Sequence, residues 1–153
     1  TYPKNLKNEE IAVYLSELKA NAYIHGINEN GILITADTIV ILNDEVINKP
    51  DGRTDAINML NALSGEKHTV YTGVCISSVK QNVSFFAETD VYFRALTGAE
   101  IEHYIDKFEP YDKAGAYGIQ EWIGYIGIEK IEGSYFNVMG LPVQKLYDEL
   151  IKF

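Results

Sequence analysis

Residues 32–42 read ILITADTIVIL, a run of apolar and β-branched residues with one carboxylate, Asp37, set in its middle. Such runs read as buried strands, where aspartate is disfavoured and an unpaired carboxylate is costly. A partner, a metal ion or an opening to water has to compensate. The first makes Asp37 an ion-paired strand residue; the others make it a metal ligand or a general base at the mouth of a cleft. Ala36 is small enough to admit a ligand, and Thr38 adds a hydroxyl next to the carboxylate. Lys19 precedes this run, and Lys49-Pro50 follows it after a short gap. Either lysine reads as a solvated side chain or as a clamp on a phosphate. Further on, DKAGAYGIQEWIGYIG (112–127) sets Ala114, Gly115, Ala116 and Gly118 ahead of Gln120. Small residues in that pattern would fill a core poorly but let a backbone approach a ligand. The glutamine amide both donates and accepts, which suits the edge of a base. An aspartate, two lysines and a glutamine together suit phosphate plus base, that is, a nucleotide. The chain has neither a Walker pattern nor a GxGxxG fingerprint. By themselves these residues reach an acidic α/β domain with side chains for a nucleotide, and the solvated readings stay open.

The elements that must hold these groups are legible in outline. Residues 8–23 predict a helix, with Ile11, Leu15, Leu18 and Ala22 at helical spacing, Lys19 beside that stripe, and two glutamates in the first turn. After the Asp37 strand, Asn43-Asp44 supplies a turn into a short strand, EVIN, and Lys49–Arg53 is a loop. Thr54 is placed to cap a helix reaching about Leu63, with Gly65 as its stop. Two long strand-like runs, 68–80 and 83–95, predict an antiparallel hairpin around Gln81-Asn82. In the second, Val83, Phe85, Ala87, Thr89, Val91 and Phe93 share a face. Thr97-Gly-Ala-Glu100 is a capping box that opens a helix to about Lys107. Residues 109–124 read as a long loop, followed by a strand near 125–131. Residues 133–142 read as a structural junction into a last helix from Pro142. The fold class is α/β, or mixed α+β, in a single unit.

The chain has 153 residues, long enough for one domain with a real core, and 46% of them are hydrophobic. A formal net charge of −9 argues against a protein that coats a nucleic acid polymer, because that needs clustered Lys and Arg. It leaves room for a small anionic ligand. No stretch approaches a membrane span, so no membrane partner is expected. Cys75 is the single cysteine and lies in an apolar strand, as expected of a buried thiol in a reducing cytoplasm. The three histidines have no metal-site spacing.

Several stretches resemble the Maf family of nucleoside triphosphate pyrophosphatases: LKANAY (18–23), ITADTIV (34–40), NKP (48–50), AINMLNALSGEKHTVYTGV (56–74), DKAGAYGIQ (112–120) and GSYFNVMGLP (133–142). They run in family order over nearly the whole chain. The resemblance implies an elongated Maf/ITPase-like fold with a central mixed sheet, an antiparallel hairpin and a substrate cleft. It also implies hydrolysis of a nucleoside triphosphate to the monophosphate and pyrophosphate with a divalent cation, Mg²⁺ or Mn²⁺, and commonly a homodimer. Asp37 matches the family's catalytic acidic residue, as proton acceptor or metal ligand. Thr38 and Gln120 match positions tied to substrate choice, and Lys19 and Lys49 match lysines near the phosphates. The GIQ ending resembles the branch acting on dTTP and UTP. The family's Ser-Pro-Arg-Arg segment has no counterpart here, so a single, N-terminally incomplete domain is expected over 1–153. The alternative is a nucleotide-binding regulator of septum formation with little or no catalysis.

Overall fold

A computed structural model describes residues 2–153. Helix α1 (Asn8–Tyr23) comes first, followed after a short 3-10 turn by strand β1 (Leu33–Leu42). Strand β2 (Glu45–Ile47) returns along the end of β1 through Asn43 and Asp44, whose φ angles are 51° and 65°. Asn and Asp tolerate that left-handed conformation better than other side chains, which is why this pair makes a two-residue hairpin turn. Helix α2 (Arg53–Leu63) then leads to the long hairpin of β3 (Lys67–Ser77) and β4 (Asn82–Phe93), closed by residues 78–81. Helix α3 (Gly98–Phe108), α4 (Trp122–Gly127), strand β5 (Ile128–Glu132), α5 (Tyr135–Met139) and α6 (Val143–Leu150) complete the chain.

The α/β class and the hairpin are as expected, but the sheet expected to be mixed is antiparallel at every pairing, in the order β2-β1-β3-β4-β5. The reason is topological. Helix α2 joins β2 to β3, which run in the same direction, but β1 lies between them; β1 and β4, and β3 and β5, also run alike and are likewise kept apart by one strand. Other details shift as well. Thr54 does not cap α2, because Gly52 occupies that position and Arg53 is already helical. The capping box at Thr97 and Glu100 forms as predicted. Within the expected loop 109–124, Trp122 starts α4, and the following strand begins only at Ile128.

Pairing opposite β1 sets the faces. Val40, Thr38 and Ala36 of β1 lie opposite Val70, Thr72 and Val74 of β3. On this face Val40, Val70, Val91 and Phe93 pack under α2, α3 and Tyr117 as the main core. Farther along, Val74 and Ile76 form a second cluster with Leu146 of α6. The opposite face carries Ile39 and Ile41, which pack against Ile11 and Ala12 of α1. Helix α1 does not bury the predicted stripe. Ile11, Ala12, Ser16 and Ala20 are buried, while Leu18 is 48% exposed and Ala22 is at the surface. Small residues face the sheet because α1 crosses it at Gly73, where a side chain would strike the helix backbone. Among the described residues no helix is long and apolar enough to cross a membrane.

His68 of β3 is 1% exposed, with Nε2 2.6 Å from the Tyr117 hydroxyl and no partner on Nδ1. Burial pushes its pKa down from 6.5 to about 4, against a smaller opposing pull from Asp90. The folded protein therefore takes up this proton less readily than the unfolded chain. The stability this group contributes is complete above pH 6.5 and is lost as pH falls through about 4. Linkage makes the loss about 3 kcal/mol at the acid end. Urea midpoints measured across this window should fall less steeply in His68→Gln than in the parent; parallel curves would contradict the assignment.

Candidate active site

Strand β2 pairs with β1 only at Val40, Ile41 and Leu42. Among the described residues, Leu33–Ile39 therefore have a neighbour on one side alone, and a cleft opens along that free edge. An edge lets side chains from both faces of β1 reach the same space. Asp37 arrives from the α1 face, and Ala36, Thr38 and Val40 from the other. The cleft has a volume of about 270 Å³, just below the roughly 300–1,000 Å³ usual for small-molecule sites.

One end is charged. Lys19 Nζ of α1 lies 2.6 Å from Asp37 Oδ2 and donates to the Ala36 carbonyl at 2.9 Å. The lysine thus neutralises the carboxylate and satisfies an edge carbonyl at once, which also blunts the open edge. Asp37 is 21% exposed, and its Oδ1 makes no hydrogen bond among the described residues. Lys49 lines the same cleft, on a loop held by buried Pro50 and by the Gly115 N–H, which donates to the Asn48 carbonyl at 3.1 Å. Gly115 reaches that position at φ 71°, the conformation glycine adopts without strain. Lys113 bridges Asp112 at 2.9 Å and Glu121 at 3.4 Å. The adjacent ammonium holds the Asp112 carboxyl below its usual range. The three lysines face Asp37, Asp112 and, behind Lys113, Glu121, so formal charge here balances within a chain of net charge −9.

The rest of the lining is mostly apolar, with Val40, Val70, Tyr117 and Val138, and Thr38 and Gln120 add neutral polar groups. Gln120 sits on the surface with its backbone carbonyl accepting from the Tyr125 hydroxyl at 3.1 Å. Its loop is braced from beneath. The buried Tyr104 of α3 donates to Glu121 and accepts from the Gly118 N–H at 3.1 Å. Contrary to the expectation that residues 114–118 avoid the core, Ala116, Tyr117 and Ile119 belong to it. Small residues there serve close packing as well as access. A Cβ on Gly118 would come within 3.1 Å of both Lys113 and Glu121.

All five predicted side chains, Lys19, Asp37, Thr38, Lys49 and Gln120, line one cleft. Asp37 is mid-strand, as its place in the apolar run implied. Sequence reasoning passed over Lys113 and Asp112, and it took 133–142 as purely structural. In the fold, Val138, Met139 and Gly140 form a cleft wall. The left-handed Gly140, at φ 112°, ends α5 there, and a glycine closely followed by Pro142 was a helix-stop signal open to use.

The family described as Maf-like protein matches this sequence over residues 1–153. The chain belongs to the Maf family. Among similar Maf proteins, one from Bacteroides thetaiotaomicron named dTTP/UTP pyrophosphatase is 53% identical over 99% of this chain and 79% of its own. A protein of the same name from Parabacteroides distasonis is 54% identical over 100% of this chain and 79% of its own. A third so named, from Porphyromonas gingivalis strain W83, is 48% identical over 99% of this chain and 77% of its own.

Proposed function

We propose that this Maf protein hydrolyses dTTP and UTP to the monophosphate and pyrophosphate. The observation that carries the reading is near-full-length identity of about half to relatives named for that activity, in a chain whose cleft sets Asp37 among three lysines. The apolar part of the lining takes the base and the lysines the triphosphate. Asp37 Oδ2 is held by Lys19, so Oδ1 orients a water and accepts its proton as the water oxygen attacks the α-phosphorus. The α–β phosphoanhydride bond breaks, and its electron pair leaves with pyrophosphate. Lys19, Lys49 and Lys113 stabilise the charge that gathers on the leaving group.

No cluster of three carboxylate, His or Cys ligands occurs among the described residues. That suits Mg²⁺ or Mn²⁺ bound mainly through substrate: such ions take one or two carboxylates, phosphate oxygens and water. In the alternative role Asp37 Oδ1 would hold the cation in place of taking the water's proton, and the ion when bound adds charge neutralisation at the phosphates. The names of the relatives favour an enzyme over a regulator of septum formation. A cytoplasmic homodimer, built on one domain over 1–153, completes the proposal.

Pyrophosphate and monophosphate release with Mg²⁺ from dTTP, UTP, CTP and GTP tests it. Cleavage of dTTP and UTP well ahead of the others is expected. Release of inorganic phosphate in place of pyrophosphate, or no release from any nucleotide, would overturn the activity.

A further inference from the structure

Between the two apolar clusters on one sheet face runs a polar band of Thr38, Thr72, Thr89 and Asn137. Thr72 and Asn137 are fully buried, and only Thr38 reaches the cleft. A hydroxyl has one proton to give. Thr72 Oγ1 donates its proton to the Asn137 carbonyl at 3.0 Å, and that oxygen can only accept. The 2.8 Å bond between the Thr38 and Thr72 hydroxyls is then made with the Thr38 proton. Thr38 Oγ1 consequently turns lone pairs, and no proton, toward the cleft.

The carbonyl at the end of this relay is fixed. Asn137 Nδ2 donates to the Val70 carbonyl at 3.2 Å and to Thr89 Oγ1 at 3.0 Å. Thr89 is in turn tied to the backbone of Ser134 in both directions. Space beside Thr38 is kept by Gly140, where an added Cβ would sit 3.5 Å from Thr38 Oγ1.

We infer that Thr72 is a positioning residue for base selection: by donating to the Asn137 carbonyl it makes Thr38 Oγ1 an acceptor for the N3–H of uracil or thymine. Cytosine carries a lone pair at N3 and meets Thr38 with acceptor against acceptor. Guanine has an N–H on the corresponding edge, so this device separates uracil from cytosine and leaves the exclusion of purines to cleft size. The inference rests on the proposed function and concerns the same site.

The test uses kcat/KM for UTP, CTP and N3-methyl-UTP, with calorimetric binding of α,β-imido UTP and CTP alongside. In the unaltered protein CTP and N3-methyl-UTP should each fall at least about tenfold below UTP, as expected when a buried polar group is left unpaired. Thr72→Val keeps the shape and frees the Thr38 proton, so the UTP-to-CTP ratio should collapse by about tenfold; Thr72→Ser should restore it. The Asn137 carbonyl still accepts from the Gly140 N–H at 3.0 Å in that variant, which limits its structural cost. N3-methyl-UTP handled as well as UTP, or a parental ratio in folded Thr72→Val, would overturn the inference. Absence of turnover with any nucleotide would instead overturn the proposed activity, and the imido analogues would still report selectivity.

Discussion

Replacing Asp37 with Asn is expected to lower pyrophosphate release from dTTP by about 10²–10⁴-fold, the range for loss of a positioned general base. The amide keeps the shape of the carboxylate but accepts no proton at neutral pH and carries no charge to hold Lys19. The backbone pairing of Asp37 with Gly73 of β3 does not involve the side chain, so the strand should persist. Lys19 retains one anchor, the Ala36 carbonyl at 2.9 Å, and stays near the phosphates. Nucleotide binding should therefore survive while turnover does not. Single-turnover pyrophosphate release and calorimetric binding of the α,β-imido analogue separate the two. A kcat close to the parent's would remove Asp37 from the role.

The second large effect lies directly across the sheet. Gly73→Ala should lower stability by more than about 3 kcal/mol, beyond the usual cost of overpacking a core. A Cβ on Gly73 would lie 2.2 Å from the Ala12 carbonyl carbon and oxygen and 2.4 Å from the Val13 nitrogen. These are backbone atoms, so no rotamer change relieves the clash, and α1 has to move off the sheet. Ala12 is fully buried against β3, and the helix also carries Ser16, whose carbonyl accepts from Thr35 at 2.7 Å. Displacing α1 also withdraws Lys19 from Asp37, so activity should fall together with stability. Urea unfolding gives the first quantity and pyrophosphate release the second. An unchanged midpoint would mean that the sheet and α1 can separate without cost.

Much of this protein is determined locally and was readable as such. The apolar run around Asp37, the Asn43-Asp44 turn, the Thr97–Glu100 capping box and the β3–β4 hairpin each depend on residues a few positions apart. Backbone propensity and hydrogen-bonding chemistry at that range are properties of the sequence itself. Of the five candidate side chains, Asp37 stood out by itself as a carboxylate in an apolar strand and Gln120 as a glutamine after small residues, whereas Lys19, Thr38 and Lys49 gained their weight from the family resemblance. Three things required the assembled fold. The sheet is antiparallel because strands that run in the same direction are never neighbours, β1 lying between β2 and β3, β3 between β1 and β4, and β4 between β3 and β5. The buried face of α1 is its small-residue face because Gly73 lies beneath it, sixty residues away in the chain. The polarity of Thr38 is set by Thr72 and the Asn137 carbonyl, on separate elements brought within 3.0 Å. Single residues reveal which groups can do chemistry. Strand order, close approach and the direction of a shared proton arise from pairs distant in sequence, and only tertiary packing brings those pairs together.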